Sequence, residues 1–280
     1  MKLTTSSIIL IFIGTYSLWA VKYPIINYQT ADGLPQNQIN AITQGEWGNI
    51  LVGTQTGMGK FDGTQFETIT SNDGLIHNFI TGFTLDDKHQ LWIATQGGLS
   101  RIDERKNSVT NFPYSEPIMA ITWDRTLNRL WVITGKGIYY LRENEGTYHK
   151  YDKLLNHNIK DVLISAEGVK YFYADFEVIV ENRGSQKILK SKDKINVLKT
   201  IGKGENEQVL AGTENGLFIL ENNLPDRWIK YLELPPVSGN ITDIVEDETG
   251  NLWLGTTRGL LYFNKKENNT LAITKENGLA

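Results

Sequence analysis

Apolar residues in this chain gather in short runs between polar breaks, not at the three-and-four spacing of an amphipathic helix. Leu91-Trp92-Ile93-Ala94-Thr95 is one such run, and Leu252-Trp253-Leu254-Gly255-Thr256 is another. Runs this short, rich in Trp and branched side chains and bounded by Gly, Asn and Asp, predict strands. Many are apolar at successive positions, as expected of strands covered on both faces.

The runs recur at a fixed period, which points to an array of one supersecondary unit. Six segments align without gaps: GNILVGTQTGMGKF from residue 48, HQLWIATQGGLSRI from 89, NRLWVITGKGIYYL from 128, GVKYFYADFEVIVE from 168, EQVLAGTENGLFIL from 207 and GNLWLGTTRGLLYF from 250. A threonine anchors five of them, at Thr54, Thr95, Thr134, Thr213 and Thr256, with Ala174 in the fourth copy; the steps are 41, 39, 40, 39 and 43 residues. Each unit predicts an inner strand such as 39–43 or 241–245, a second strand ending at T-x-x-G, a third strand after the glycine, and an outer strand such as 66–69. The residue before Gly varies, so the turn reads as type I closing in a glycine bulge.

Four strands per roughly 40 residues is the spacing of a β-propeller blade. The predicted fold is an all-β propeller over residues 25–280, with six blade cores near 48–63, 89–104, 128–143, 168–183, 207–222 and 250–265. Trp92, Trp131 and Trp253 stand in register and predict core between blades. In this layout the loops entering each blade and the T-x-x-G turns share one rim. The strand count predicts more. Residues 25–30 read as an outer strand preceding the first blade, and the ending ENGLA repeats the signals ADGLP and NDGLI that lead into inner strands. A seventh unit beyond residue 280, closed by the 25–30 strand, would complete a seven-bladed ring, so the chain is expected to be an amino-terminal piece of a longer protein or a truncated reading frame.

The first twenty residues differ. Lys2 precedes the run Ile8-Ile9-Leu10-Ile11-Phe12-Ile13, too short for an ordinary membrane span, and this predicts a secretory signal peptide or uncleaved anchor over 1–20. Cysteine is absent, which removes disulfides, thiolate metal sites and cysteine nucleophiles. A net charge of −4 without a dense basic run excludes a nucleic-acid partner on electrostatic grounds. The lysines from Lys187 to Lys194 read as a solvated loop edge.

The pattern G-N-L-W-x-G-T-x-x-G-L, with D-G-L-x-x-N before an inner strand, resembles the two-component regulator propeller repeat, most closely at 32–63, 73–104 and 250–265. The resemblance implies the periplasmic sensing part of a hybrid two-component sensor, with a carbohydrate as the class of ligand and a membrane span and output domain elsewhere. No cofactor and no metal site is expected.

Neither a nucleophile elbow nor a phosphate loop is present, and none of the four histidines has zinc-helix spacing. One local departure stands out. In the fourth blade T-x-x-G is replaced by Ala174-Asp175-Phe176-Glu177, and the loop entering that blade carries His157-Asn158, so these groups are expected on one rim. Further rim positions by register are Asn37, Gln38, Gln55, Asn78, Phe79, Gln96, Glu214, Asn240 and Arg258, where polar side chains could meet a sugar or simply form turns. The leading expectation is a non-catalytic, exported, ligand-sensing propeller. The alternatives are a scaffold docking a protein partner and a metal-dependent propeller lyase or lactonase.

Overall fold

The computed structural model describes residues 25–142, 145–220, 228–235 and 239–279. The expected signal segment 1–20, and the ends of the third and fifth blade cores at 143 and 221–222, lie outside them. Among the described residues are six four-stranded antiparallel sheets, each in simple up-and-down order. They are blades 1 to 6 of a β-propeller.

Blade 1 comprises β1 (Ala41–Gln44), β2 (Ile50–Gly53), β3 (Met58–Phe61) and β4 (Phe66–Ile69). Blade 2 comprises β5 (Ile80–Leu85), β6 (Leu91–Thr95), β7 (Gly98–Asp103) and β8 (Ser108–Pro113). Blade 3 has β9 (Ile118–Asp124), β10 (Arg129–Thr134), β11 (Gly137–Arg142) and β12 (Tyr148–Lys150). Blade 4 has β13 (Asp161–Ile164), β14 (Lys170–Tyr173), β15 (Glu177–Asn182) and β16 (Ser185–Lys190). Blade 5 has β17 (Ile195–Ile201), β18 (Gln208–Thr213), β19 (Leu217–Leu220) and β20 (Trp228–Leu232). Blade 6 has β21 (Ile241–Glu246), β22 (Leu252–Thr256), β23 (Gly259–Asn264) and β24 (Asn269–Ile273).

The repeated residues explain the repeated shape. In each T-x-x-G copy the threonine hydroxyl donates to the glycine carbonyl, at 2.8 Å for Thr95 to Gly98 and 2.9 Å for Thr256 to Gly259. The same oxygen accepts the backbone N–H two residues on, at 3.1 Å from Gly97 and 3.2 Å from Arg258. One side chain thus satisfies polar groups that a turn at a blade end would leave without partners. The glycine takes a positive φ, 126° at Gly98, and a Cβ there would lie 2.3 Å from the Phe112 carbonyl oxygen of the outer strand. The varied residue before it does not take a positive φ, as the sequence reading required.

A second recurring device joins the inner and second strands. Asp86, at the end of β5, accepts the Trp92 indole N–H at 3.0 Å and the backbone N–H groups of Lys88 and Gln90 at 2.9 Å each. Asp124 with Trp131 (3.1 Å) and Asp247 with Trp253 (3.3 Å) repeat the indole contact. Each carboxylate folds the connecting hairpin and satisfies the indole nitrogen.

The core lies between blades. Trp92 packs with Leu130 and Val132 of blade 3, and Trp131 with Phe172 and Ile179 of blade 4. Both indoles are fully buried, so truncating either to Ala would cost about 3–5 kcal/mol. Trp253 departs from the expectation. It packs on Tyr262 of its own sheet, at 4.7 Å between ring centroids, but is only half-buried. Its register faces the blade that would follow, and blade 6 buries its opposite face, through Ile244, Leu252, Leu254 and Leu261, against blade 5.

Residues 25–30 also depart from the expectation. Residues 25–29 are extended but not part of a ladder, and Thr30–Asp32 form a short 3-10 turn. A strand needs a hydrogen-bonded neighbour, and blade 6 already has its own outer strand, β24. The inner strands surround a channel of about 460 Å³ reached by Ile42, Thr81, Met119, Asp161 and Asp243.

Candidate functional site

The geometry read from the sequence, loops entering a blade and T-x-x-G turns on one rim, is the geometry found. In blade 1 the Gln36 side chain accepts the Gln55 N–H at 3.1 Å, and the Thr56 hydroxyl donates to the Pro35 carbonyl at 3.0 Å. On this rim, where blades 3 and 4 meet, lies a cavity of about 370 Å³. Its floor is apolar, with Ile138, Leu154 and Ile159. Its polar lining includes Lys136, Tyr151, His157, Asn158, Lys160 and Asp175.

The local sequence places these groups. Asp152–Leu154 form a 3-10 turn after β12, and buried Leu154 and Ile159 pin the loop that carries His157 and Asn158. The Lys160 N–H donates to the Tyr173 carbonyl at 2.8 Å, which sets the approach to β13. Across the hairpin, the Ala174 N–H donates to the Glu177 carbonyl at 2.9 Å, so Asp175 and Phe176 form the turn.

His157 Nδ1 meets Glu177 Oε1 at 2.6 Å, and Lys190, paired opposite Glu177 in the β15–β16 ladder, binds its other oxygen. Hydrogen bonding from His157, then from Lys190, holds the Glu177 carboxyl below its ordinary range. Lys160 pairs with Asp175, and Lys194 approaches the same carboxylate at 3.8 Å. The Lys160 hydrogen bond, with help from Lys194, likewise lowers the Asp175 carboxyl. A carboxylate at Nδ1 orients the ring and leaves Nε2 as the nitrogen able to meet a ligand.

These ion pairs decide what the site can do. Each carboxylate already has cationic partners, so the lysines occupy the places a divalent cation would need. Among the described residues no group of three or more His, Cys, Asp or Glu side chains is arranged to hold a metal ion. The arrangement suits hydrogen bonding to a polar, neutral or weakly charged small molecule over an apolar floor.

Of the residues singled out in the sequence, His157, Asn158 and Asp175 line one cavity, and Glu177 stands behind His157. The others are dispersed. Asn37 and Asn78 each turn a side-chain oxygen inward, accepting the Thr30 N–H at 3.0 Å and the Ser71 N–H at 2.7 Å, which closes the turn entering blades 1 and 2. Gln55 and Gln96 lie on the blade 1 and blade 2 rims. The Asn240 N–H donates to the Thr257 hydroxyl at 3.1 Å, and Arg258 lines a separate depression with Thr274 and Lys275. Sequence reasoning missed Lys136 and Lys160. Lys136 was within reach of it, because it occupies the residue before Gly in the T-x-x-G turn on the same rim. Of the lysines read as a solvated loop edge, Lys190 ends β16 and pairs with Glu177, and Lys194 approaches Asp175, both side chains remaining open to solvent.

The fold and this rim define the class: a β-propeller of repeated four-stranded blades with a polar cavity between two blade ends. Residues 236–258, spanning the approach to blade 6 and β21–β22, match the family model described as two component regulator propeller, so the chain carries that repeat. The resemblance read from the sequence is borne out there.

No curated protein matches this sequence. Among solved structures it is similar to the extracellular domain of BT3049 of B. thetaiotaomicron, described as a hybrid two component system, at 21% identity and a TM-score of 0.73; the match covers 89% of this chain and 36% of that one. It is also similar to the extracellular domain of BT4673 of the same organism, described as a one component system, at 18% identity and a TM-score of 0.65, covering 85% and 36%. Virginiamycin B lyase of Staphylococcus aureus shares the fold at 12% identity and a TM-score of 0.64, covering 84% of each chain. The chain thus spans little more than a third of the two B. thetaiotaomicron domains. No helix among the described residues is long and apolar enough to cross a membrane.

Proposed function

We propose that this chain is the ligand-receiving part of an extracytoplasmic two-component sensor, and that the cavity between blades 3 and 4 is its ligand site. The observation that carries this reading is the convergence of His157, Asn158, Lys160 and Asp175 on one cavity, at the copy where the repeat pattern breaks. Its chemistry suits a polyol such as an oligosaccharide: an oriented imidazole and an amide for hydroxyl groups, with apolar side chains beneath a ring face. The repeat match and the extracellular character of the two B. thetaiotaomicron domains support placement outside the cytoplasm. Residues 1–20 then act as the export signal. The span and output domain that pass the signal on lie outside these 280 residues, and the propeller itself binds without turnover.

The test is calorimetric titration with a panel of soluble oligosaccharides, on the wild type and on His157→Ala and Lys160→Met. Binding that weakens at least tenfold in both variants, with the sugar recovered unchanged, is the expected result. Divalent-metal-dependent conversion of the sugar would instead make the chain an enzyme. A stable protein partner with no small-molecule binding would make it a scaffold.

A further inference from the structure

At the rim end of the inner strands, one bulged residue ties each blade to the next. Between Ile80 and Gly82 the residue left out of the ladder is Thr81, and between Ile195 and Val197 it is Asn196. Asn40 and Lys160 stand at the same place in blades 1 and 4, donating their N–H groups to the Gly53 and Tyr173 carbonyls. Each of these side chains reaches a backbone carbonyl at the start of the following inner strand. Asn40 donates to Ile80 at 3.0 Å, Thr81 to Ile118 at 2.6 Å, Lys160 to Ile195 at 3.5 Å and Asn196 to Ile241 at 3.0 Å. A bulge re-aims its side chain, and here it aims it at the neighbouring blade.

Blade 3 breaks this series. Its bulged residue, between Ile118 and Ala120, is Met119, which has no donor to offer the equivalent carbonyl of Ile159. Met119 is 51% exposed and lines two spaces at once, the rim cavity between blades 3 and 4 and the central channel. Blade 4 repeats the boundary, since Lys160 lines the cavity and the next residue, Asp161, lines the channel. The two spaces thus meet across a flexible thioether, at a junction where a hydrogen-bonded tie gives way to an apolar side chain. Their volumes, about 370 and 460 Å³, together stay within the range of small-molecule sites, about 300–1,000 Å³. The chemistry changes along the path. The cavity offers donors from Lys136 and Lys160, and the channel offers carboxylates. Asp161 takes the Val162 N–H at 2.7 Å and the Thr122 hydroxyl at 3.5 Å on Oδ1, which leaves Oδ2 to accept from a ligand. Asp243 is shared with Lys199 at 3.6 Å.

We infer that the ligand site between blades 3 and 4 continues past Met119 into the central channel, so that it takes an extended oligosaccharide. One end lies over the apolar floor of the cavity, and a further unit donates a hydroxyl to Asp161. Met119 sets this reach, because an Asn, Thr or Lys at its place would tie across to blade 4, as its counterparts tie their own blades. The inference rests on the reading of the cavity as an oligosaccharide site and adds to it a second subsite and a preference for length.

The test is calorimetric titration with cello-, malto- and xylo-oligosaccharides of one to four units, on the wild type, Met119→Asn and Asp161→Ala. Met119→Asn recreates the tie of blades 1 and 5, now to the Ile159 carbonyl, and should hold or raise Tm, which separates closing the passage from misfolding. In the wild type, affinity for the series that binds should rise about tenfold or more between two and four units, the scale of one hydrogen bond to a carboxylate. That rise should vanish in both variants, while the affinity for the shortest sugar that binds, and its loss in His157→Ala, stay as they are. Equal affinity at every length in the wild type overturns the channel subsite and leaves the cavity reading standing. So does a rise that survives both Met119→Asn and Asp161→Ala. Failure of every sugar to bind overturns the cavity reading, and this inference with it.

Discussion

Replacing Thr95 by Val keeps the shape and branching of the side chain and removes only its oxygen. That oxygen accepts from the Gly97 N–H at 3.1 Å and donates to the Gly98 carbonyl at 2.8 Å, in a side chain that is completely buried. The Gly98 carbonyl also faces Thr95 in the β6–β7 ladder, so the group left without a partner is the Gly97 N–H. Gly97 is half-buried, so stranding its N–H costs about 1 kcal/mol, the low end of the range for a buried donor, and the lost hydroxyl–carbonyl bond adds about 1 kcal/mol. The expected destabilisation is about 2 kcal/mol, or a Tm lower by roughly 4–8 °C for a domain of this size. Thr256 makes the same pair of contacts on blade 6 but is partly open to solvent. Water can replace its oxygen, and Thr256→Val should cost about 1 kcal/mol or less. Urea unfolding followed by circular dichroism, in wild type and both variants, measures the difference. Equal losses in the two variants would refute the idea that the hydroxyl matters because burial leaves the turn no other partner.

Two further outcomes follow from the same geometry. Gly98→Ala combines a positive φ with a Cβ 2.3 Å from a backbone oxygen, so it should cost 3 kcal/mol or more, or prevent folding, whereas Gly135→Ala, with open space around it, should be neutral by the same urea assay. Asp161, in the channel wall, has its carboxyl pushed up to about 6, chiefly by burial. The folded state then holds this proton more tightly than the unfolded chain does. Stability contributed by the group is present below pH 4 and is lost as pH rises toward 6 and above. Asp161→Asn should therefore be more stable than wild type by about 1–2 kcal/mol at pH 7.5, allowing for the partial contact with channel water. The two should converge near pH 4, and parallel stability curves across that range would contradict the assignment.

What the sequence made legible was what a single blade determines by itself. The strand order, the T-x-x-G turn and the shared rim all rest on contacts within about 40 residues, and Thr95, Gly98 and Pro35 behave as their positions predicted. The Asp86–Trp92 hydrogen bond was equally local. An Asp six or seven residues before each in-register Trp recurs in three copies, and only the habit of reading that Trp as core hid it. The features read wrongly depend on neighbours distant in sequence. Trp253 has the same local sequence as Trp92, and its exposure follows because no blade among the described residues packs on its face. Residues 25–30 have strand composition, yet a ladder requires a partner no local pattern supplies. Lys190 and Lys194 are open to solvent, as read, but their pairing with Glu177 and Asp175 was not legible, because it depends on how β16 and the loop after it return to the blade end.

The copy that breaks the pattern shows how its turn is held without the threonine. In the regular blades the threonine oxygen accepts a turn N–H from within, beside ties from outside such as the Tyr114 N–H to the Gly97 carbonyl at 3.1 Å. Ala174 has no hydroxyl to offer, so its turn keeps the backbone bond to Glu177 and the ties from the next loop: the Ser191 N–H donates to the Phe176 carbonyl at 2.8 Å and the Ile195 N–H to the Asp175 carbonyl at 2.7 Å. Those bonds draw the 191–195 segment, with Lys194, against Asp175, while the β15–β16 ladder sets Lys190 beside Glu177. These ties also hold the two carboxylates in place, and through Glu177 they hold His157. A binding site needs side chains held in place by their surroundings, and here the 191–195 segment and the β15–β16 ladder supply them. Ala174→Thr should therefore leave the 191–195 tie and ligand binding at His157 in place, since the Thr95 contacts and the Tyr114 tie coexist in blade 2, and a tenfold loss of binding in that variant would refute the reasoning.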